Sequence, residues 1–189
     1  MGLNHLKRKF KIYSCFLYNT KVINKTFNKI LIVGDACRGK STLSSKISAK
    51  LGIPHYSTDD FYYEIKFTKP RIKQESIDMI LKIYQNEKWI IEGTTQHLIE
   101  HGLDSADIII NLKYKNIFAQ WLALLKRYLE RDNETLKGSF KLMKHVFYKR
   151  YKLGYRKGKL TPSELVSLYK NKVITFYTFK EINNFINSI

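Results

Sequence analysis

Ile30-Leu31-Ile32-Val33-Gly34-Asp35-Ala36-Cys37-Arg38-Gly39-Lys40-Ser41-Thr42 runs four apolar, mostly β-branched residues into a glycine and opens a helix-periodic segment at Lys40. The pattern G-x-x-x-x-G-K-S thus falls between a predicted strand and a predicted helix, the context that turns a sequence match into a phosphate-binding loop. Such a loop folds around a phosphate with its backbone N–H groups pointing inward, which favours glycine at Gly34 and Gly39. The helix behind it contributes free N–H groups and partial positive charge at its start. In this arrangement Gly34, Asp35, Ala36, Cys37, Arg38 and Gly39 form the cradle, and Lys40 reaches the β- and γ-phosphates. Ser41 ligates Mg²⁺ and Thr42 assists at the α-phosphate. Nucleotide binding follows from this stretch; the identity of the phosphate acceptor does not.

The chain has 189 residues, enough for one α/β domain with small insertions and a sizeable core. Its formal charge of +18 and pI near 9.8 suit an anionic partner: a nucleotide, a nucleic acid or an acidic surface. A composition rich in Lys, Asn, Ile, Tyr and Phe also follows from A+T-rich coding, which reduces the weight of the charge. Cys15 and Cys37 are the only cysteines, which is no disulfide framework and fits a reducing, cytoplasmic setting. No apolar run approaches the roughly 18 residues that span a bilayer. Residues 1–29 carry Lys7, Arg8, Lys9, Lys11, Lys21, Lys25 and Lys29 without one carboxylate. They read as a basic N-terminal extension outside the core, with a targeting peptide or a nucleic-acid arm as the other readings, and residues 30–189 read as the folded domain.

After the phosphate loop, Leu43, Ile47 and Leu51 mark the inner stripe of a helix that Gly52 stops. A short strand at His55-Tyr56-Ser57 leads to Asp59 and Asp60. If that pair is extended, the two carboxylates point to opposite sides, so that one faces an acceptor hydroxyl while the other caps the next turn; Asp59 is read as the base, with Asp60 as its alternate. Trp89-Ile90-Ile91-Glu92-Gly93 is a strand ending in a carboxylate that can hold Mg²⁺-bound water beside Ser41. His97-Leu98-Ile99-Glu100-His101 matches a zinc-peptidase pattern, but its ordinary reading is a short helix surface. Ile108-Ile109-Ile110-Asn111-Leu112 is apolar enough for a strand buried on both faces.

From Ile117, a helix places Phe118, Trp121, Leu122, Leu125 and Leu129 on one stripe, with Arg127 and Arg131 opposite. Fourteen basic residues lie between Lys113 and Lys159, interleaved with aromatics, against Glu130, Asp132 and Glu134. This stretch reads as a phosphate lid over about 126–160, a nucleic-acid surface over 113–159, or a solvated helix pair. A last strand, Lys172-Val173-Ile174-Thr175-Phe176, precedes a capping box at Thr178 and Glu181. Strands alternating with helices imply an α/β fold with a mainly parallel sheet covered on both faces.

The ordered set from the phosphate loop through Leu51-Gly52-Ile53-Pro54, Asp59, Trp89 to Gly93, Lys126-Arg127 and Thr178 to Phe185 resembles the small P-loop kinases of the adenylate-kinase type. More closely, it resembles the bacterial DNA topology modulation, or FlaR-like, proteins. The resemblance implies a three-layer P-loop NTPase fold with a five-stranded parallel sheet in the order 2-3-1-4-5 and a small helical lid. It implies ATP with Mg²⁺ at Lys40 and Ser41, and lid arginines at Arg127 and Arg131. Glu92 stands where such kinases usually carry Asp, Thr94-Thr95 replaces an acceptor-binding arginine segment, and Cys37 and Arg38 occupy positions that are often small. Cys37 reads as a filler or as a reactive thiol near the helix start. The leading expectation is therefore an ATP-dependent phosphotransferase in which Lys40, Asp59 and Arg127 are catalytic, acting on a nucleoside or nucleotide. The alternatives are a nucleic-acid-binding P-loop ATPase and a shikimate- or gluconate-type kinase, whose acceptor hydroxyl Asp59 suits equally.

Overall fold

A computed structural model describes residues 27–65, 68–130, 136–154, 157–158 and 160–189. The extension up to residue 26, Cys15 among it, and the expected lid arginine Arg131 lie outside the described residues. In chain order the elements are β1 (Lys29–Gly34), α1 (Lys40–Leu51), β2 (His55–Ser57), α2 (Thr58–Tyr62), β3 (Tyr63–Ile65) and β4 (Lys69–Pro70). They continue with α3 (Lys73–Tyr84), β5 (Trp89–Glu92), α4 (Gln96–Ile99) followed by a 3₁₀ turn at Glu100–Gly102, and β6 (Ile108–Leu112). Last come α5 (Ile117–Leu129), α6 (Leu136–Tyr151), α7 (Pro162–Val166), β7 (Val173–Phe176) and α8 (Phe179–Ser188).

Five parallel strands form the main sheet in the order β2-β5-β1-β6-β7, which is the expected 2-3-1-4-5 when its strands alone are counted. β1 is central because Ile30 to Val33 are apolar at every position, so both of its faces tolerate burial. The period of two then divides them. Ile30 and Ile32 pack with Leu43, Ile47, Ile182 and Phe185 of α1 and α8, while Leu31 and Val33 pack with Ile80, Leu98 and Val166 of α3, α4 and α7. Phe27 is buried on the first of these faces, and the Asp107 carboxylate accepts the backbone N–H groups of both Asn28 and Lys29 at 2.9 Å. α1 ends where Gly52, at φ 66°, donates its N–H to Ser48. α8 opens on the expected capping box: Thr178 accepts from the Glu181 N–H and Glu181 accepts from the Thr178 N–H.

The helix from Ile117 differs from its sequence reading. Its buried face is Ile117, Gln120 and Leu124, and the apolar stripe of Phe118, Leu122, Leu125 and Leu129 is exposed. α5 packs on α6, where Trp121 meets Phe147, and on Ala36 and Cys37 of the phosphate loop. That contact turns Arg127 toward the loop and leaves the apolar stripe outward. α5 and α6 form a helical pair beside the phosphate loop. Among the described residues, no helix is long and apolar enough to cross a membrane.

Candidate active site

The loop between β1 and α1 takes its shape from contacts on three sides. Gly34 has φ 137°, and a Cβ there would overlap the carbonyl oxygen of Leu112 on the adjacent strand, so this position requires glycine whatever the ligand. Asp35 donates its N–H to Leu112 O at 2.8 Å and accepts the Tyr114 N–H on its carboxylate at 2.7 Å. The Tyr114 hydroxyl donates to the Cys37 carbonyl at 2.7 Å, and burial raises the pKa of this phenol, keeping the donor protonated. Arg38 is 3% exposed and lies between the rings of Tyr114 and Phe179, 4.8 and 4.4 Å from their centroids, with Nε donating to Lys113 O. The side chains of Asp35 and Arg38 therefore hold the loop, and only its backbone is left to cradle phosphate. Cys37 adopts φ 59°, a left-handed conformation, and Gly39 at φ 82° caps the start of α1.

The chemistry-bearing side chains converge on this loop. Lys40 Nζ donates to the carbonyls of Asp35 at 2.9 Å and Gly34 at 3.4 Å, curling over the loop in which a phosphate would sit. Burial lowers its pKa, and the charges of Glu92, Asp35, Cys37 and Asp59 pull it back upward. Ser41 Oγ donates to Glu92 Oε1 at 2.8 Å across the β1–β5 boundary. Glu92 is 5% exposed at the carboxyl end of its strand, and its register against Ile32 brings it to the start of α1. Two hard oxygen donors side by side, with room for phosphate oxygens and water, fit Mg²⁺, which takes few protein ligands in nucleotide sites.

Asp59 lies in the first turn of α2, not in an extended segment, and Ser57 rather than an aspartate caps that turn by accepting the Asp59 N–H at 3.3 Å. The two carboxylates are therefore about 100° apart around a helix, not opposed. Asp59 borders a cavity of about 840 Å³ with Lys40, Ser41, Thr42, Glu92 and Arg127, whereas Asp60 is exposed and does not. Gly93, at φ 156°, brings these pieces together: a Cβ there would collide with the buried Thr58 side chain, so β5 and α2 approach this closely only with glycine. Arg127 reaches down from α5 with Nη1 3.6 Å from Cys37 Sγ. Of the residues expected at the site, only Arg131 is not among those described.

His97 lies on α4 with its ring near Tyr62, and Glu100 and His101 follow in the 3₁₀ turn. Among the described residues, no group of three or more His, Cys, Asp and Glu is arranged to hold a metal ion. Sequence reading missed Tyr114 and Phe179, which clamp Arg38. Each is an aromatic in a connection or a first helical turn, and nothing in its own neighbourhood marks it.

No protein-family model matches the sequence. Among curated proteins, a stretch of 65 residues is 40% identical to the uncharacterized protein YqaC of Bacillus subtilis (strain 168), covering 34% of this chain and 36% of that one. The match thus spans about a third of that relative's length. Among solved structures, the chain is similar to shikimate kinase from Bacteroides thetaiotaomicron, with TM-score 0.56 and 13% identity over 86% of this chain and 96% of the other. It is also similar to shikimate kinase from Acinetobacter baumannii in complex with shikimate, with TM-score 0.52 and 13% identity over 86% and 90%. At that identity the likeness is one of architecture: this chain has the P-loop kinase fold.

Proposed function

We propose that this protein transfers the γ-phosphoryl group of Mg-ATP to a small acceptor bearing a hydroxyl or phosphate group. The observation that carries the reading is the convergence of Lys40, the Ser41–Glu92 pair, Asp59 and Arg127 on one cavity around the phosphate loop. In the transfer, the acceptor oxygen forms a bond to the γ-phosphorus while the bond from that phosphorus to the bridging oxygen breaks, and ADP leaves with the electron pair. Where the acceptor is a hydroxyl, its proton passes to Asp59. Lys40 and Arg127 stabilise the charge that develops on the transferring group. Mg²⁺ held by Ser41 and Glu92 would neutralise phosphate charge when bound.

The resemblance to adenylate-kinase-type and FlaR-like proteins favours a nucleoside or nucleotide acceptor. The architecture shared with a protein solved in complex with shikimate favours a polyol or hydroxy acid. Purified protein incubated with Mg-ATP and each acceptor class, with ADP formation followed, tests the reading. Lys40→Ala should abolish turnover, and Asp59→Asn should lower it by about 10²-fold or more with ATP affinity little changed. ATP turnover in Lys40→Ala within threefold of the wild type would sink the proposal.

A further inference from the structure

A second cavity, of about 340 Å³, adjoins the first, and Ala36, Thr94 and Tyr114 border both. Its volume is that of a small-molecule site. Its wall holds a polar group that the fold itself does not satisfy. Gln120 occupies the middle of the buried face of α5, between Ile117 and Leu124, where packing alone would select an apolar residue. It is 2% exposed and lines the cavity, and among the described residues its carboxamide has no hydrogen-bond partner. From α7, Ser163 Oγ donates to Asn111 Oδ1 at 3.0 Å and so meets the cavity as an acceptor. Behind it Asn111 is fully buried, and its Nδ2 has no partner. Buried polar groups are almost always paired, because an unpaired one forfeits its hydration. Charged side chains on the border are committed within the fold. Asp35 accepts the Tyr114 N–H, Glu164 accepts the Thr161 N–H and pairs with Lys152, and Arg150 Nη2 donates to the carbonyls of Tyr114 and Lys115. His145 and Lys149 also have partners of their own.

We propose that this cavity recognises the phosphate acceptor, and that Gln120 selects it by pairing with an uncharged edge on which a hydrogen-bond donor stands beside an acceptor. This rests on the phosphotransfer reading above and narrows it. A carboxamide sets one C=O beside one NH₂, so it meets such an edge with two hydrogen bonds; a vicinal diol and a nucleobase edge both present that pair. An analogue that lacks either group leaves a buried atom of Gln120 unpaired, which is the costly kind of mismatch. Ser163 accepts one further donor, and Thr94 stands where the two cavities meet, so the reacting end of the bound molecule lies toward the phosphate loop. The amide that the fold leaves unpaired at a core position is thus paired by the acceptor.

The test uses the full chain with Mg-ATP and paired acceptors that differ by one uncharged group. One arm compares nucleosides with analogues lacking an exocyclic amine or carbonyl of the base; the other compares polyols with their monodeoxy analogues. In at least one arm, kcat/KM should favour the complete member by about 10²-fold or more, and that arm identifies the edge as base or diol. Gln120→Met, of similar length and apolar, should reduce the preference to within about fivefold, with KM for ATP within about twofold. Because the carboxamide has no partner in the fold, the same variant should keep or raise the urea midpoint, whereas loss of a structural amide would lower it. Gln120→Glu, which keeps the shape and exchanges the donor for an acceptor, reads the same loss of preference should the first variant fail to fold. Equal use of both members in both arms, a preference that survives the substitution, or a lowered midpoint in Gln120→Met overturns the inference. If no acceptor draws ADP from ATP, the phosphotransfer reading fails instead, and the cavity is then read by binding alone. Adenosine and, separately, ribitol are titrated into protein saturated with a non-hydrolysable ATP analogue. Binding weakened about tenfold or more by Gln120→Met upholds the site. No binding of either probe, or binding that the variant leaves unchanged, overturns it.

Discussion

Burial dominates the electrostatics of Lys40 and depresses its pKa. A triphosphate binds the protonated ammonium, so above that depressed pKa binding must first restore a proton. ATP affinity should therefore fall by about tenfold per pH unit as pH rises through it, starting below the range in which an ordinary lysine titrates. Calorimetric titrations with ATP across neutral to alkaline pH check this, and Lys40→Arg, whose side chain stays charged, should lack the fall. Two glycines make sharper claims. Gly34→Ala places a methyl group in the Leu112 backbone, and Gly93→Ala places one in Thr58; each should cost more than about 4 kcal/mol or prevent folding, read as lost soluble yield or a collapsed denaturation midpoint. The sequence placed Gly34, Lys40, Ser41 and Glu92 near one another because each stands at a fixed distance from a strand end, and strand ends are what the apolar runs define. It was silent on the burial of Arg38, since that sandwich exists only where the phosphate loop, the segment after β6 and the start of α8 meet.

At the scale of elements, α5 separates pattern from placement. Its apolar stripe at Phe118, Leu122, Leu125 and Leu129 is real in sequence, yet the buried residues are Ile117, Gln120 and Leu124. Periodicity reports that a helix has an apolar face; it does not report which neighbour the helix meets, and here the neighbours are α6 and the phosphate loop. Leu124→Ala should cost about 2–5 kcal/mol, while Leu129→Ala, at a side chain 74% exposed, should change stability by less than about 0.5 kcal/mol. Urea denaturation of the two variants decides between this orientation and the reverse. β1, β5 and β6 were legible for a simpler reason: strands buried on both faces are apolar at every position, so no choice of face arises. The capping box of α8 was legible because it is closed within four residues, and Thr178→Ala should lower stability by about 1 kcal/mol.

For the molecule as a whole, the charge of +18 admits two explanations that differ in what must be present for activity. Lys126 and Arg127 of the basic 113–159 stretch border the cavity of the phosphate loop, which favours a local task at that loop over a surface for long polyanions. Activity should therefore need only Mg-ATP and a small acceptor. Arg127→Ala should lower that activity at moderate salt, since Arg127 faces the cavity of the phosphate loop. If the stretch instead neutralised six or more backbone phosphates, nucleic-acid affinity would drop by about 10³-fold or more between 50 and 200 mM salt. DNA or RNA that raised ATP hydrolysis many-fold with that salt dependence, while Arg127→Ala kept full ATPase activity, would favour the nucleic-acid-dependent ATPase.

The central strand also sets a timetable. β1 is synthesised before every other strand of the sheet, yet its partners are β5 and β6, and the carboxylate that grips its first residues belongs to Asp107, 78 positions after Lys29. Until β5 has left the ribosome, a strand buried at five of its six positions has no neighbour to pair with. Parallel pairing over such separations closes long loops before any contact repays them, which makes folding slow and the waiting strand prone to stick to others like itself. The same topology that gathers the site at the carboxyl ends of the strands thus leaves residues 29–34 of the newborn chain exposed until first β5 and then β6 arrive.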